Sequence, residues 1–357
     1  MGHTDLLKLT AELVSIPSVS HSEADLADYV EQTLRSCAHL ETIRIDDTVV
    51  ARTGMGRNER LVLAGHLDTV PPFPNSAPRV EGETVWGLGA VDMKGGLAVL
   101  LDLATTVSEP ACDVTYVFYA CEEVAREHNA LCRIASERPD LLRGDVAVLG
   151  EPTGGIVEAG CQGTVRFLVS LSGRRAHTAR PWRGVNAIHR LGPVLELLNG
   201  YESRRVVIDG CEYAEQLQAV AIEGGIAPNV VPDRASLVVN HRFAPDRDLA
   251  EAERCFFALI ADVIDERGGD LVEVVESSPA APPSLRHPLL NEMVKTTGKP
   301  PRAKMGWTDV ATFWEIGIPA TNFGPGDPTL AHTADERVSR DELEGARAVL
   351  AHLLQPA

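Results

Sequence analysis

The feature that most constrains this fold is a rhythm. Over the first 150 residues, short apolar runs that read as strands alternate with amphipathic stretches that read as helices. Strands are expected near 61–65, 114–120 and 145–149, and helices over 4–15, 95–107 and 126–137, with SVSHSEADLADYVEQTL (18–34) opening a further helix, the second in the chain. In the first helix Leu6, Leu9, Leu13, Val14 and Ile16 recur near a 3.6-residue period. In the second, Ser20 and Glu23 stand at the spacing of a capping box. Strands alternating with helices imply an α/β domain with a largely parallel sheet covered on both faces. From 163 the order changes to strand 163–172, helix 185–199, strands 217–224 and 234–243, helix 249–267 and strand 271–276. That β-α-β-β-α-β order reads as a small ferredoxin-like unit. The proline-rich SSPAAPPS at 277–284 marks a linker. Residues 285–357 return to α/β, with helices near 287–297, 309–316 and 340–354. The expected architecture is a discontinuous first domain, 1–162 plus 280–357, interrupted by an inserted domain at 163–279.

The chemistry-bearing residues fall where strands of the first domain end, which is where open α/β sheets bind ligands. LVLAGHLDTVPP (61–72) runs from an apolar strand into His66 and Asp68. Residues two apart in an extended chain share a face, so an imidazole and a carboxylate lie side by side at a strand tip. WGLGAVDMKGG (86–96) holds Asp92 in a glycine-rich turn ahead of a helix. Gly87 and Gly89 suggest a dinucleotide loop, but Asp92 stands where that loop needs its third glycine. VTYVFYACEEV (114–124) ends in Glu122 and Glu123, whose side chains point opposite ways and can take different tasks. DVAVLGEPT (145–153) places Glu151 at another strand end, and GPGDPTLAHTADE (324–336) holds His332 in a late loop. Singly, each has an ordinary reading as a turn cap, an acidic helix start or a solvated loop histidine. Together they form a carboxylate and imidazole set suited to zinc, cobalt or manganese. Two such ions ~3.5–4 Å apart can share a bridging carboxylate and activate a water.

Composition narrows the partners. A net charge of −18 opposes nucleic-acid binding and makes any anionic substrate depend on locally placed arginines. The seven cysteines contain no C-x-x-C pair, which argues against a disulfide framework or a thiolate zinc cluster and suits a reducing cytoplasm. No apolar run approaches the ~20 residues of a membrane-spanning helix, and the first residues are polar and then amphipathic, unlike a signal peptide.

The series GHLDTVP, GAVDMKGG, CEEV, GEPT and AHTADE resembles that of the co-catalytic zinc metallohydrolases. That family includes aminoacylase, acetylornithine deacetylase, carboxypeptidase G and succinyl-diaminopimelate desuccinylase, and the likeness covers nearly the whole chain. The resemblance implies a zinc-exopeptidase-like catalytic domain and an inserted ferredoxin-like domain that serves as lid and dimerisation surface. It implies that His66 and Glu151 hold one zinc, that Glu123 and His332 hold the other, and that Asp92 bridges them. Asp68 would orient His66, Glu122 would be the general base, and the Asp92–Met93 peptide would be cis. His177, in GRRAHTARP, matches a histidine that reaches the scissile carbonyl oxygen, usually from the partner subunit of a homodimer. Asn229, Arg242, Trp307 and Thr308 match substrate contacts, and the Arg242 guanidinium suits a succinyl carboxylate.

Within the family, GWTDVATF (306–313) and GPGDPTLAHTADE look most like the actinobacterial desuccinylase branch. That implies hydrolysis of N-succinyl-LL-2,6-diaminopimelate to succinate and LL-2,6-diaminopimelate. The alternatives are another acyl-amino-acid hydrolase, such as an acetylornithine deacetylase or a dipeptidase-like enzyme, and a metal-dependent binding protein. An intact Glu122 speaks against the last, since binding needs no base. Two departures bear on specificity. Cys161 and Gln162 stand where many desuccinylases carry an arginine pair, and Trp307 stands where other branches have a small residue.

Overall fold

A computed structural model describes residues 5–73 and 77–355; Thr4, the expected start of the first helix, lies outside them. The chain divides into two compact units. One comprises Met1–Gly160, Pro283–Ala303 and Thr308–Ala357, and the other Cys161–Pro282 with Lys304–Trp307.

The first unit is built on an eight-stranded sheet. Its spatial order is Glu41–Ile45, Thr48–Arg52, Asp113–Tyr119, Arg60–His66, Val146–Leu149, Ala320–Asn322, Glu158–Ala159, Arg302–Ala303. The four strands from Asp113–Tyr119 to Ala320–Asn322 run parallel. Every residue of Asp113–Tyr119 and Val146–Leu149 is buried, the continuous apolar signature of a parallel sheet covered on both faces. Register places His66 beside Tyr119 and Ala64 beside Leu149, so these interior strands end within two residues of one another on one side of the sheet. The helix Gly95–Thr106 packs closely there. A Cβ on Gly96 would lie 2.1 Å from the Gly150 carbonyl oxygen, so only glycine permits the approach.

Several local expectations are revised. Ser20 and Glu23 do not form a capping box: the second helix runs Ala24–Arg35 with no side-chain cap. Instead the Ser20 hydroxyl donates to Asp68 Oδ2 at 2.8 Å, and Glu23 Oε1 accepts the Cys121 N–H at 3.1 Å. A true capping box forms at Ser339 and Glu342. The helix expected over 249–267 stops at Ile260, and Asp265 caps a separate short turn leading to Gly269, which has φ +95°. The hairpin Arg205–Ile208/Cys211–Ala214 turns through Asp209-Gly210, a turn signal passed over in the sequence.

The second unit holds a four-stranded antiparallel sheet in the order Gln216–Gly224, Arg234–Phe243, Gly163–Ser172, Leu271–Ser278. With helices Ala187–Asn199 and Leu249–Ile260 this is the ferredoxin-like arrangement. Alternation drives it: Val165, Phe167, Val169 and Leu171 are buried with Leu237 and Val239 among helix side chains, while their sequence neighbours face away. Lys304–Trp307 folds with this unit. The Lys304 carbonyl accepts the Gln162 N–H at 3.2 Å, and Trp307 Nε1 donates to the Pro279 carbonyl at 3.1 Å. Trp307 and Thr308 are thus sequence neighbours in different units. Among the described residues no helix is long and apolar enough to cross a membrane.

Candidate active site

The first unit gathers its acidic and histidine residues at the strand ends. His66 closes its strand, Glu122 and Glu123 follow Asp113–Tyr119, and Glu151 follows Val146–Leu149. Asp92 lies in a kinked turn, Ala90–Lys94, that also contains a cis Asp92–Met93 peptide, as the resemblance implies. His332 comes from the late loop. That loop sits tightly on the Asp92 turn, since a Cβ on Gly326 would lie 2.0 Å from Val91 Cγ2.

Two triads share Asp92. Ligand atoms of His66, Asp92 and Glu151 all lie within 4.8 Å of one another, as do those of Asp92, Glu123 and His332. Asp92 Oδ1 is 3.2 Å from His66 Nε2, whereas its Oδ2 is 3.3 Å from His332 Nε2. His332 Nε2 is also 2.8 Å from Glu123 Oε1. One carboxylate therefore addresses two histidines with different oxygens, the donor arrangement that two adjacent divalent cations require. Hydrogen bonds donated to Asp92 and Glu123 raise the pKa of the His332 ring to about 10. Burial would raise the Asp92 carboxyl, but hydrogen bonds from His332 and His66 outweigh it and hold the group low. This concentration of negative charge is what a dication binds, with the imidazoles neutral.

The role expected of Asp68 changes in detail. His66 Nδ1 lies 3.0 Å from the Asp68 carbonyl oxygen but 3.6 Å from the carboxylate. Nδ1–H donation to that carbonyl leaves the Nε2 lone pair for a ligand. The Asp68 carboxylate instead accepts the backbone N–H groups of Glu122 at 2.9 Å and Glu123 at 3.0 Å. It grips the segment that carries the acidic pair. Cys121, just before that pair, has φ +61°, and so does His332, an uncommon conformation for non-glycine residues that here bends both segments at the cluster.

Glu122 stands beside His66 and Glu123. Burial pushes its carboxyl well above the ordinary range; the His66 ring opposes this, and the charges of Glu151, Glu123 and Asp309 add to it. A carboxyl so placed is biased toward accepting a proton.

The model of the peptidase family M20/M25/M40 matches residues 62–355. The chain belongs to this family. A Mycobacterium tuberculosis protein provisionally named succinyl-diaminopimelate desuccinylase is 50% identical over 98% of each chain. The succinyl-diaminopimelate desuccinylase of Corynebacterium glutamicum is 43% identical over 98% of this chain and 96% of its own. Among solved structures, the Bacillus subtilis YXEP protein, described as a dinuclear metal-binding peptidase of the M20 family, has a TM-score of 0.71. It shares 16% identity and covers 99% of this chain and 97% of its own.

The remaining M20 candidates divide between the units. Thr308 is buried in the first, where its hydroxyl donates to Asn322 Oδ1 at 2.9 Å. His177, Asn229, Arg242 and Trp307 belong to the second. There the Asn229 carbonyl accepts the Thr178 N–H at 3.0 Å, which sets Asn229 and His177 close together. The exposed His177 ring accepts the Ala179 N–H at Nδ1, 3.0 Å, so its proton resides on Nε2 as an outward donor. Arg242 is half-buried, and among the described residues its guanidinium makes no hydrogen bond or ion pair, whereas nearby Arg166 pairs with Glu276. Gln162 is buried and donates to the Ala214 carbonyl at 3.0 Å, and Cys161 is fully buried.

Two buried carboxylates beside this cluster escaped the sequence reading. Asp309 is fully buried, accepting from Asn129 Nδ2 at 2.7 Å and Thr312 Oγ1 at 2.6 Å, with its carboxyl pushed up by burial against those hydrogen bonds. Its local signal was the Asp309-x-x-Thr312 spacing at a helix start. Glu336, the last residue of AHTADE, is 1% exposed and accepts the N–H groups of Val91 at 3.1 Å and Asp92 at 3.0 Å. No local pattern announces it, because its partners lie 244 and 245 residues away.

Proposed function

We propose that this M20-family protein hydrolyses N-succinyl-LL-2,6-diaminopimelate to succinate and LL-2,6-diaminopimelate. The observation that carries this reading is 43% identity to the Corynebacterium glutamicum desuccinylase over nearly the full length of both chains. The two triads meeting at Asp92 support a dinuclear centre, with His66 and Glu151 on one side and Glu123 and His332 on the other. Held by these residues, two zinc ions, or cobalt or manganese in their place, would supply Lewis acidity to the amide carbonyl and acidify the attacking water. Glu122 takes the proton of that water and returns it to the leaving amine. The Nε2–H of His177 donates to the oxyanion that develops on the carbonyl. Arg242, with an unengaged guanidinium on a chain of net charge −18, grips the succinyl carboxylate, and Asn229 and Trp307 line the acyl-amino-acid substrate. The seven free cysteines favour a reducing, cytoplasmic setting.

Substrate class is tested by comparing N-succinyl-LL-2,6-diaminopimelate with N-acetylornithine in the presence of zinc. The expected kcat/KM preference is at least about 100-fold, because an acetyl group leaves the Arg242 guanidinium without its carboxylate. Equal or reversed preference would replace the desuccinylase reading with that of a different acyl-amino-acid hydrolase.

The same reading makes the protein a homodimer through its second unit. The strand Gln216–Gly224 lies at a sheet edge, with Val220 and Ile222 56% and 55% exposed, and pairing with a second copy would cover both the edge and its apolar side chains. His177 would then serve the partner's site. Glu122→Gln and His177→Ala, each inactive alone, are mixed under conditions of subunit exchange. Each mixed dimer is expected to regain about half of wild-type activity, since one of its two sites is intact. Continued inactivity after demonstrated exchange would return His177 to its own subunit's site.

A further inference from the structure

Asp92 and His332 sit on segments 240 residues apart in the chain, and one side chain joins those segments. Glu336 ends the His332 loop, immediately before the strand Arg337–Ser339. Its main-chain carbonyl accepts the Gly87 N–H at 3.1 Å, and its Oε1 accepts the N–H groups of Val91 and Asp92. Glu336 therefore holds the glycine-rich 87–92 segment at both ends, including the amide of the very residue whose two oxygens address two histidines. The arrangement parallels the first strand tip, where Asp68 accepts the successive N–H groups of Glu122 and Glu123. A buried carboxylate that accepts two consecutive amides fixes the direction in which that stretch of backbone presents its side chains.

We propose that Glu336 is a positioning residue: by gripping the Val91 and Asp92 amides it aims the Asp92 carboxylate between the two triads and couples that carboxylate to the loop bearing His332. The inference rests on the dinuclear reading above. A purely space-filling or charge-balancing role is the competing explanation, because the buried Lys94 ammonium lies close enough to interact with Glu336 while donating to the Ile16 carbonyl at 2.7 Å. The two roles separate by reach and charge. Glu336→Gln keeps the reach and one carbonyl acceptor but loses the charge. Glu336→Asp keeps the charge but withdraws the acceptor by one methylene.

The test is metal binding, read independently of turnover. Chelator-stripped wild type, Glu336→Gln, Glu336→Asp and Glu336→Ala are titrated with Zn2+ against a chromophoric chelator and with Co2+ by visible absorption; thermal unfolding of each stripped protein is recorded alongside. Positioning predicts that Glu336→Asp and Glu336→Ala weaken zinc binding by about 10–100-fold and alter the Co2+ spectrum, while Glu336→Gln stays within about threefold of wild type. If Glu336→Ala does not fold, the Asp and Gln variants carry the comparison. Wild-type affinity and spectrum in Glu336→Asp, or a loss in Glu336→Gln as large as in Glu336→Asp, would overturn the assignment while leaving the dinuclear reading intact. Failure of the wild-type protein to take up zinc or cobalt would overturn both.

Discussion

Glu122→Gln is expected to lower kcat by about 10²–10⁴-fold, the range of a lost general base, with zinc content unchanged. Glu122 and Glu123 leave the same segment, and Asp68 grips both of their amides, so replacing one carboxylate by its isosteric amide leaves the backbone in place. Only Glu123 lies within hydrogen-bonding distance of His332 and shares a triad with Asp92 and that ring. Glu122 instead belongs with His66 and Glu123, and its carboxyl is driven up by burial and by surrounding carboxylates. On the proposed mechanism Glu122 exchanges a proton while Glu123 keeps a cation. Glu123→Gln is therefore expected to lose metal as well as rate. Elemental analysis of the purified variants, run beside steady-state kinetics, makes the comparison. Equal metal loss in both would exchange the two roles.

Asp92→Ala should cost more, because it removes a group common to both triads. The variant is expected to lose at least one zinc equivalent per chain and at least about 10³-fold in kcat, roughly 4 kcal/mol of transition-state stabilisation. Chelation of the wild-type protein should abolish activity, and added zinc should restore it. In Asp92→Ala, added zinc should restore little, since His66 and His332 would no longer face a shared carboxylate. His332→Ala, which spares the triad of His66, Asp92 and Glu151, should keep more metal than Asp92→Ala. Full zinc occupancy in Asp92→Ala would mean that Asp92 does not bridge.

Much of this was legible because strand periodicity is a local property. An apolar run too short for a helix, ending in His66-x-Asp68, reads as a core strand with two polar side chains on one face, and the strand Arg60–His66 has that form. The ferredoxin-like order was legible for the same reason: the alternation in Gly163–Ser172 and Arg234–Phe243 depends only on which neighbours are apolar. The hairpin at Asp209-Gly210 carried a local signal too, but its flanking strands are only four residues each, and the first has no buried residue.

What the sequence by itself determined was the alternation of the longer strands and helices and the identity of the groups at the strand tips, since these follow from periodicity and from the residue types a metal accepts. What only the tertiary structure decided was which side chains hold those groups in direction. Ser20 and Glu23 carry the same local spacing as the genuine capping box at Ser339 and Glu342, yet they serve Asp68 and Cys121, the latter 98 residues away. Asp68 was legible as a carboxylate beside His66, but its grip on Glu122 and Glu123 depends on two strands ending in register. Glu336 reaches Asp92 only after the chain has returned from its inserted unit. The physical reason is common to all of them. A buried amide must find an acceptor, and which acceptor it finds depends on what folding brings within about 3 Å, a distance that no local pattern encodes.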